Sequence, residues 1–256
     1  MRSLSLEKRG AIAHLTLKRP EKQNVIDGTM LRELADACQA MAEDEAVRAV
    51  VVSGEGPVFS RGWDWEELAG EDIPVTGHDG MISDPFGCLA EMSRPVVCAL
   101  TGDALSAGLE LALACDVRIA AEGAEFGLPE TAMGMVPMGG GSQRLARLVG
   151  RGKALEMILT AEPIDAAEAL RVGLVNAVLP REKVVAGAEE IAGRVAERGP
   201  LAVRFAKEAV LRGMEMPLEQ GLRYETDLTV IIQTTEDRAE GVRAFQEKRK
   251  PEFRGR

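Results

Sequence analysis

The stretch from Pro95 to Cys115 restricts the fold more than any other part of the chain. Pro95-Val96-Val97-Cys98-Ala99-Leu100 is apolar without alternation, the pattern of a strand covered on both faces. It enters the tight run Thr101-Gly102-Asp103-Ala104-Leu105-Ser106-Ala107-Gly108 and then an apolar helix, Leu109-Glu110-Leu111-Ala112-Leu113-Ala114-Cys115. A strand covered on both faces and followed by a helix belongs to a layered α/β architecture. A second such strand is predicted at Val47 to Val52, ended by Gly54-Glu55-Gly56-Pro57.

The segments before it read as strands at Leu4 to Lys8 and Ile12 to Leu17 and an amphipathic helix from about Thr29 to Ala42, giving a ββαβ opening. Gly70 to Asp84 reads as a surface loop. A strand at Val117 to Ala121 precedes Phe126-Gly127-Leu128-Pro129-Glu130, and Gly139-Gly140-Gly141 opens a basic helix, Ser142 to Leu148. Beyond about Val195 the pattern is helical only, at Ala202 to Met214, Leu218 to Thr234 and Asp237 to Arg249. The chain therefore divides into a core at residues 1–195 and a helical region at 196–256, consistent with 256 residues set against the ~150 of a usual domain.

The net charge of −10 has the wrong sign for a protein that lives on nucleic-acid phosphates. No apolar run approaches a membrane span of ~20 residues, and the start of the chain has no signal-peptide pattern, so the expectation is a cytoplasmic protein without membrane or nucleic-acid partners. The four cysteines form no CxxC pair and read as reduced, mostly buried thiols. Only two histidines exist, His14 and His78, and both read as structural or solvated. Histidine triads and histidine metal sites are disfavoured, so carboxylates are left to move protons, with no metal and no separate cofactor expected.

Glu110 is the most informative residue, because an ionisable side chain inside an apolar helix is either paired or used. With Ser106 as a side-chain N-cap, the Ala107 N–H would be left free at the positive helix end, one turn before Glu110. Glu130, fixed behind Pro129 between apolar flanks, is a second carboxylate. Two carboxylates and an oxyanion donor suit addition of water to a polarised double bond, or its reversal.

Several motifs in order resemble the enoyl-CoA hydratase/isomerase (crotonase) family. They are Arg19-Pro20-Glu21-Lys22-Gln23-Asn24-Val25-Ile26, Val58-Phe59-Ser60-Arg61-Gly62-Trp63-Asp64, Gly102 through Asp116, Phe126 to Glu130, Gly139 to Leu145, and Glu247-Lys248-Arg249-Lys250-Pro251. The resemblance spans essentially the whole chain. It implies an α/β spiral of ββα units with a helical C-terminal trimerisation module, assembly as a homo-oligomer (a trimer or a dimer of trimers), and an acyl-CoA thioester substrate that itself carries the coenzyme A.

By resemblance, the thioester oxygen is held by the backbone N–H groups of Arg61 and Ala107, Glu110 and Glu130 handle water and the Cα proton, and Gly62, Trp63 and Asp64 line the substrate. Arg61, Trp63 and Met138 depart from the small residues common at those places. Trp63 walls the acyl or pantetheine channel in this reading, and Arg61 reaches a CoA phosphate or lies in solvent. The resemblance implies 2-enoyl-CoA hydration; double-bond isomerisation, a carnitinyl-CoA dehydratase-like reaction and noncatalytic acyl-CoA binding are the alternatives. Basic groups for the CoA phosphates are sought at Lys18, Arg19 and Lys22 and at Lys248, Arg249 and Lys250.

Overall fold

A computed structural model describes residues 1–68 and 84–256. The loop read at Gly70 to Asp84, but for Asp84, and His78 within it lie outside the described residues. The antiparallel hairpin β1 (Leu4–Arg9) and β2 (Ile12–Leu17) leads to α1 (Gly28–Glu43), whose N-cap Asp27 accepts from the Met30 amide, and then to β3 (Ala49–Gly54). After the short α2 (Trp65–Leu68) and α3 (Gly87–Ala90), β4 (Val96–Leu100) enters the sheet. β5 (Ala104–Leu105), α4 (Ala107–Leu113), β6 (Val117–Ala121) and β7 (Glu125–Gly127) follow, then a 3-10 turn, Pro129–Met133. The chain continues through α5 (Gly141–Val149), α6 (Arg151–Thr160), β8 (Ile164–Asp165), α7 (Ala166–Arg171), β9 (Ala177–Leu179) and α8 (Arg181–Ala196). The last helices are α9 (Pro200–Gly213), α10 (Leu218–Gln233) and α11 (Glu236–Glu247).

A six-stranded sheet has the order β1-β2-β3-β4-β6-β9, parallel from β2 onward, and a three-stranded sheet joins β5, β7 and β8. The small sheet was not foreseen, because strands of two or three residues are too short to show a period. β4 is buried at every position and β3 at its first four, as their apolar runs demand; α8 covers β3, β4 and β6 on one side. Among the described residues no helix is long and apolar enough to cross a membrane.

Cys38, Cys98 and Cys115 are buried thiols and Cys88 is half-buried, all unpaired covalently. His14 is buried, with Nδ1 3.6 Å from a Glu189 carboxylate oxygen, and burial lowers its pKa.

α4 is the element that matters for the site, and long-range contacts fix it at both ends. Its C-terminal carbonyls meet the buried Arg118 guanidinium, which donates to Cys115 O at 2.6 Å and Ala112 O at 3.3 Å while Nε reaches Leu174 O at 2.7 Å. A cation at that end suits the helix dipole. At its N-terminal end α4 presses on the 60–62 loop, where a Cβ on Gly108 would lie 2.6 Å from Ser60 O. Gly108→Ala is therefore expected to cost about 2 kcal/mol or more, since main chain must move. Gly193→Ala in α8, where an added Cβ meets nothing within 4 Å, should be neutral or stabilising by up to ~1 kcal/mol. Thermal unfolding of the two variants beside the parent checks both.

Candidate active site

The loop after β3 and the loop after β4 run side by side. Leu105 N donates to Ser60 O at 3.0 Å, and Phe59 N and Ser60 N both donate to Asp103 O. Gly62 has φ +100°, and a Cβ there would lie 2.3 Å from that of Ser106, so both the backbone angle and the approach require glycine. The residues that follow this contact on the two loops are Trp63 and Ala107.

Main-chain bonding decides which amides remain available. Arg61 N donates to Gln23 O at 3.1 Å and Gly62 N to Ser60 Oγ at 3.1 Å. Ile26 N bonds Gly62 O and Asp64 N bonds Ile26 O, which passes over Trp63 N. Among the described residues the amides of Trp63 and Ala107 have no partner, just where the two loops meet. This bears on the sequence expectation at Arg61: its N–H is committed to Gln23, and the amide without a partner on this loop is that of Trp63. The expectation at Ser106 is corrected. It stands at the N-cap, but its φ of 52° and ψ of −131° lie outside the usual cap geometry and its hydroxyl makes no cap bond.

Glu110, on the first turn of α4, is completely buried. Its Oε1 accepts from Gly139 N at 2.7 Å and Gly141 N at 2.8 Å, while Oε2 has no partner. Glycines are needed for this approach: a Cβ at position 139 would lie 2.6 Å from the Phe86 ring, and one at 141 would lie 2.8 Å from Oε1. Burial raises the Glu110 pKa to about 7, the Gly141 and Gly139 amides hold it down, and the neighbouring Glu130 charge adds to the rise. Arg144 Nη1 donates to Gly139 O at 3.0 Å and pairs with Asp84, whose Oδ1 accepts from Phe86 N. That pair ties the glycine loop to the start of α3.

Glu130, in the 3-10 turn behind Pro129, is also completely buried, and neither of its oxygens has a partner. Burial raises its pKa; the adjacent Ser106 hydroxyl draws it back in part without reaching hydrogen-bond geometry. Among the described residues, the buried side-chain N and O atoms without partners belong to Trp63, Ser106, Glu110 and Glu130 alone. Unmet polar groups cost stability, so their concentration at one place marks where a ligand's polar atoms fit.

The other sequence candidates fall around this centre. Trp63 is 7% exposed and stacks on Phe86 at 6.1 Å between ring centroids. Arg61 is exposed and its guanidinium lies 3.5 Å from an Asp103 oxygen. Asp64 is buried against Arg19 at 3.2 Å and Lys22 at 3.5 Å, so its carboxylate serves an ion-pair cluster with Asp27. Lys18 pairs with Glu55, and Arg249 with Glu240 and Glu247. Met138 is half-buried and packs on the core. Phe86, Gly139, Gly141 and Arg144 were not singled out for this role; the glycine run was legible only as a helix start.

A pair of buried carboxylates beside two free amides can exchange protons and receive a negatively charged oxygen. The chain belongs to the enoyl-CoA hydratase/isomerase family, whose model matches residues 7–256. It is 38% identical to the 2,3-dehydroadipyl-CoA hydratase of Escherichia coli K12 over 256 residues, covering 100% of each chain. It is 39% identical to the crotonyl-CoA hydratase of Syntrophomonas wolfei over 260 residues, covering 98% of this chain and 97% of the relative. A crystal structure of an enoyl-CoA hydratase from Bacillus anthracis superposes with a TM-score of 0.94 at 38% identity, covering 99% of this chain and 100% of that one.

The raised Glu110 pKa has a sign in stability. A carboxyl whose folded pKa of about 7 exceeds its ordinary 4.5 gives full support below 4.5 and loses it as pH rises through 7. Glu110→Gln keeps an acceptor for the two amides and removes the titration. Its unfolding free energy should exceed the parent's by about 3 kcal/mol at pH 8, a gap that narrows as pH falls and closes below about pH 4.5. A gap independent of pH would count against the assignment.

Proposed function

We propose that this chain catalyses reversible addition of water to a 2-trans-enoyl-CoA thioester. The observation that carries the reading is the pair of completely buried glutamates with three unpartnered oxygens between them, placed beside free amides. The thioester oxygen sits between the amides of Trp63 and Ala107, which draw charge from the conjugated double bond as it becomes enolate-like. One such donor is worth ~3 kcal/mol in comparable holes.

Glu110 is the group suited to the base role, because two amides stabilise its anion and leave Oε2 open to a water. Glu130 has only the Ser106 hydroxyl and its own backbone amide to favour its anion, and burial raises its pKa, which suits it to carry the proton. Water loses a proton to Glu110 as its oxygen bonds to Cβ, and Glu130 delivers a proton to Cα. The two titrate as a coupled pair, and activity should be greatest where one proton is shared between them. The side chains of Trp63 and Phe86 form a stacked apolar wall beside the amide donors.

With crotonyl-CoA, loss of the conjugated thioester absorbance is expected, and Glu110→Gln and Glu130→Gln should each lower kcat on the order of 10^3-fold. Absence of turnover, or turnover indifferent to both substitutions, would overturn the reading. A product with a shifted double bond and no added water would identify an isomerase.

Self-assembly belongs to the same proposal. α9 contains no buried residue and α10 only Leu228, while Val210, Leu211, Met214, Leu218, Leu222, Val230, Ile231 and Phe245 are exposed. Apolar surface on that scale is expected to be covered by further copies of the chain. Light scattering should give a mass of three or six chains, and Val230→Glu with Ile231→Glu should shift it toward one.

A further inference from the structure

We propose that the cleft at the amino-terminal ends of β3 and β4 binds a compact polyphosphate-bearing anion, at the opposite end of the sheet from the candidate active site. The cleft has a volume of about 410 Å³. Its walls come from the end of α1, the starts of β3 and β4, the first turn of α9 and the tail after α11. Five arginines line it: Arg48, Arg94, Arg198, Arg204 and Arg254.

What matters is that so many gather in one cleft without carboxylate partners. In a chain with 41 acidic residues against 31 basic ones, arginines elsewhere, such as Arg19, Arg61, Arg144 and Arg171, hold carboxylates. Among the described residues none of the five forms an ion pair. Glu43 and Glu45 also line the cleft, so positive charge exceeds negative by five groups to two. The nearby Asp44 carboxylate is engaged by Lys8.

Two of the arginines are already oriented by main chain. Arg48 Nη2 donates to Phe253 O at 2.9 Å, and Arg94 donates from Nε to Val47 O at 3.1 Å and from Nη2 to Asp44 O at 3.2 Å. The side chains of Arg198, Arg204 and Arg254 are exposed and, among the described residues, make no hydrogen bond. Five guanidinium groups lining one cleft against two carboxylates leave a net positive charge, and a ligand with several negative charges balances it. Their planar, multiple donors match phosphate oxygens, and the cleft is larger than a single phosphate requires. Pro95, Val195, Leu201 and Val203 supply an apolar wall for whatever group carries the phosphates. The exposed apolar residues assigned to self-assembly begin further along α9, at Val210.

The test is calorimetric titration of the full chain with inorganic pyrophosphate and, separately, with ADP at physiological salt. The parent, Arg198→Gln/Arg204→Gln and, as a control on another face, Arg147→Gln are compared. Saturable binding of about one pyrophosphate per chain is expected, weakened about tenfold or more in the double variant and unchanged in Arg147→Gln. Crotonyl-CoA turnover measured without pyrophosphate should be the same in all three proteins. Tighter binding of ADP than of pyrophosphate would assign the apolar wall to a nucleoside. No saturable binding, equal affinity in the double variant, or equal weakening by Arg147→Gln would overturn the proposal.

Discussion

The arrangement around the site depends on one costly act, the complete burial of the Glu110 carboxyl. A charged group taken out of water must be met by donors or surrender its charge. Here it receives two donors, the amides of Gly139 and Gly141, on one oxygen only. That half-measure explains much else. The donors must be glycines, because Phe86 and Glu110 itself fill the space a Cβ would take. The loop carrying them must be held, and Arg144 holds it through Gly139 O and Asp84. The helix carrying Glu110 must not shift, and Arg118 anchors its far end. A fully satisfied carboxylate would be more stable and chemically idle.

A second constraint lies in the loops rather than the helices. Parallel strands β3 and β4 deliver their following loops to the same end of the sheet, where ligands of open α/β sheets characteristically bind. The loops approach closely enough that Gly62, Gly102 and Gly108 each face backbone or Cβ atoms at under 3 Å from a would-be side chain. Ser106, held at positive φ, turns the chain so that the next amide has no partner. Strain is thereby concentrated beside the unpaired N–H, and the packing of α4 and the small β5-β7-β8 sheet maintains it.

What the sequence disclosed follows from the range of the forces involved. The apolar runs of β3 and β4, the amphipathic α1 and the helical end of the chain were legible because pattern and burial are local quantities. Glu110 was legible for the same reason, as a charge out of place among Leu109, Leu111 and Leu113. The engagement of the Arg61 amide was not legible because its partner, Gln23 O, lies on a distant segment that the fold brings alongside. No spacing within the motif reveals which N–H of a loop is spoken for. Gly139 and Gly141 read as a helix start, since their contact with Glu110 exists only in three dimensions. Of the basic residues sought for phosphates near the termini, Arg19 is held by Asp27 and Asp64 and Arg249 by Glu240, pairings that likewise exist only in three dimensions. The five arginines of the cleft come from four separate stretches of chain.

The distribution of those arginines bears on the carboxylates. Arg144 is the cation whose charge lowers the Glu110 pKa, and its effect ranks below burial, the amides and Glu130. Were the five cleft arginines at the carboxyl ends of β3 and β4, their field would favour the anions of both glutamates and draw the pKa values down toward the ordinary carboxylate range. Both groups would then ionise near neutrality, and the proton needed at Cα would be gone. Placing the guanidinium groups at the amino-terminal ends, with the buried sheet between, keeps the carboxyl pair in an environment where burial dominates. Under the proposed mechanism, the separation of charge along one sheet is thus what lets acid and base coexist in two residues of the same kind.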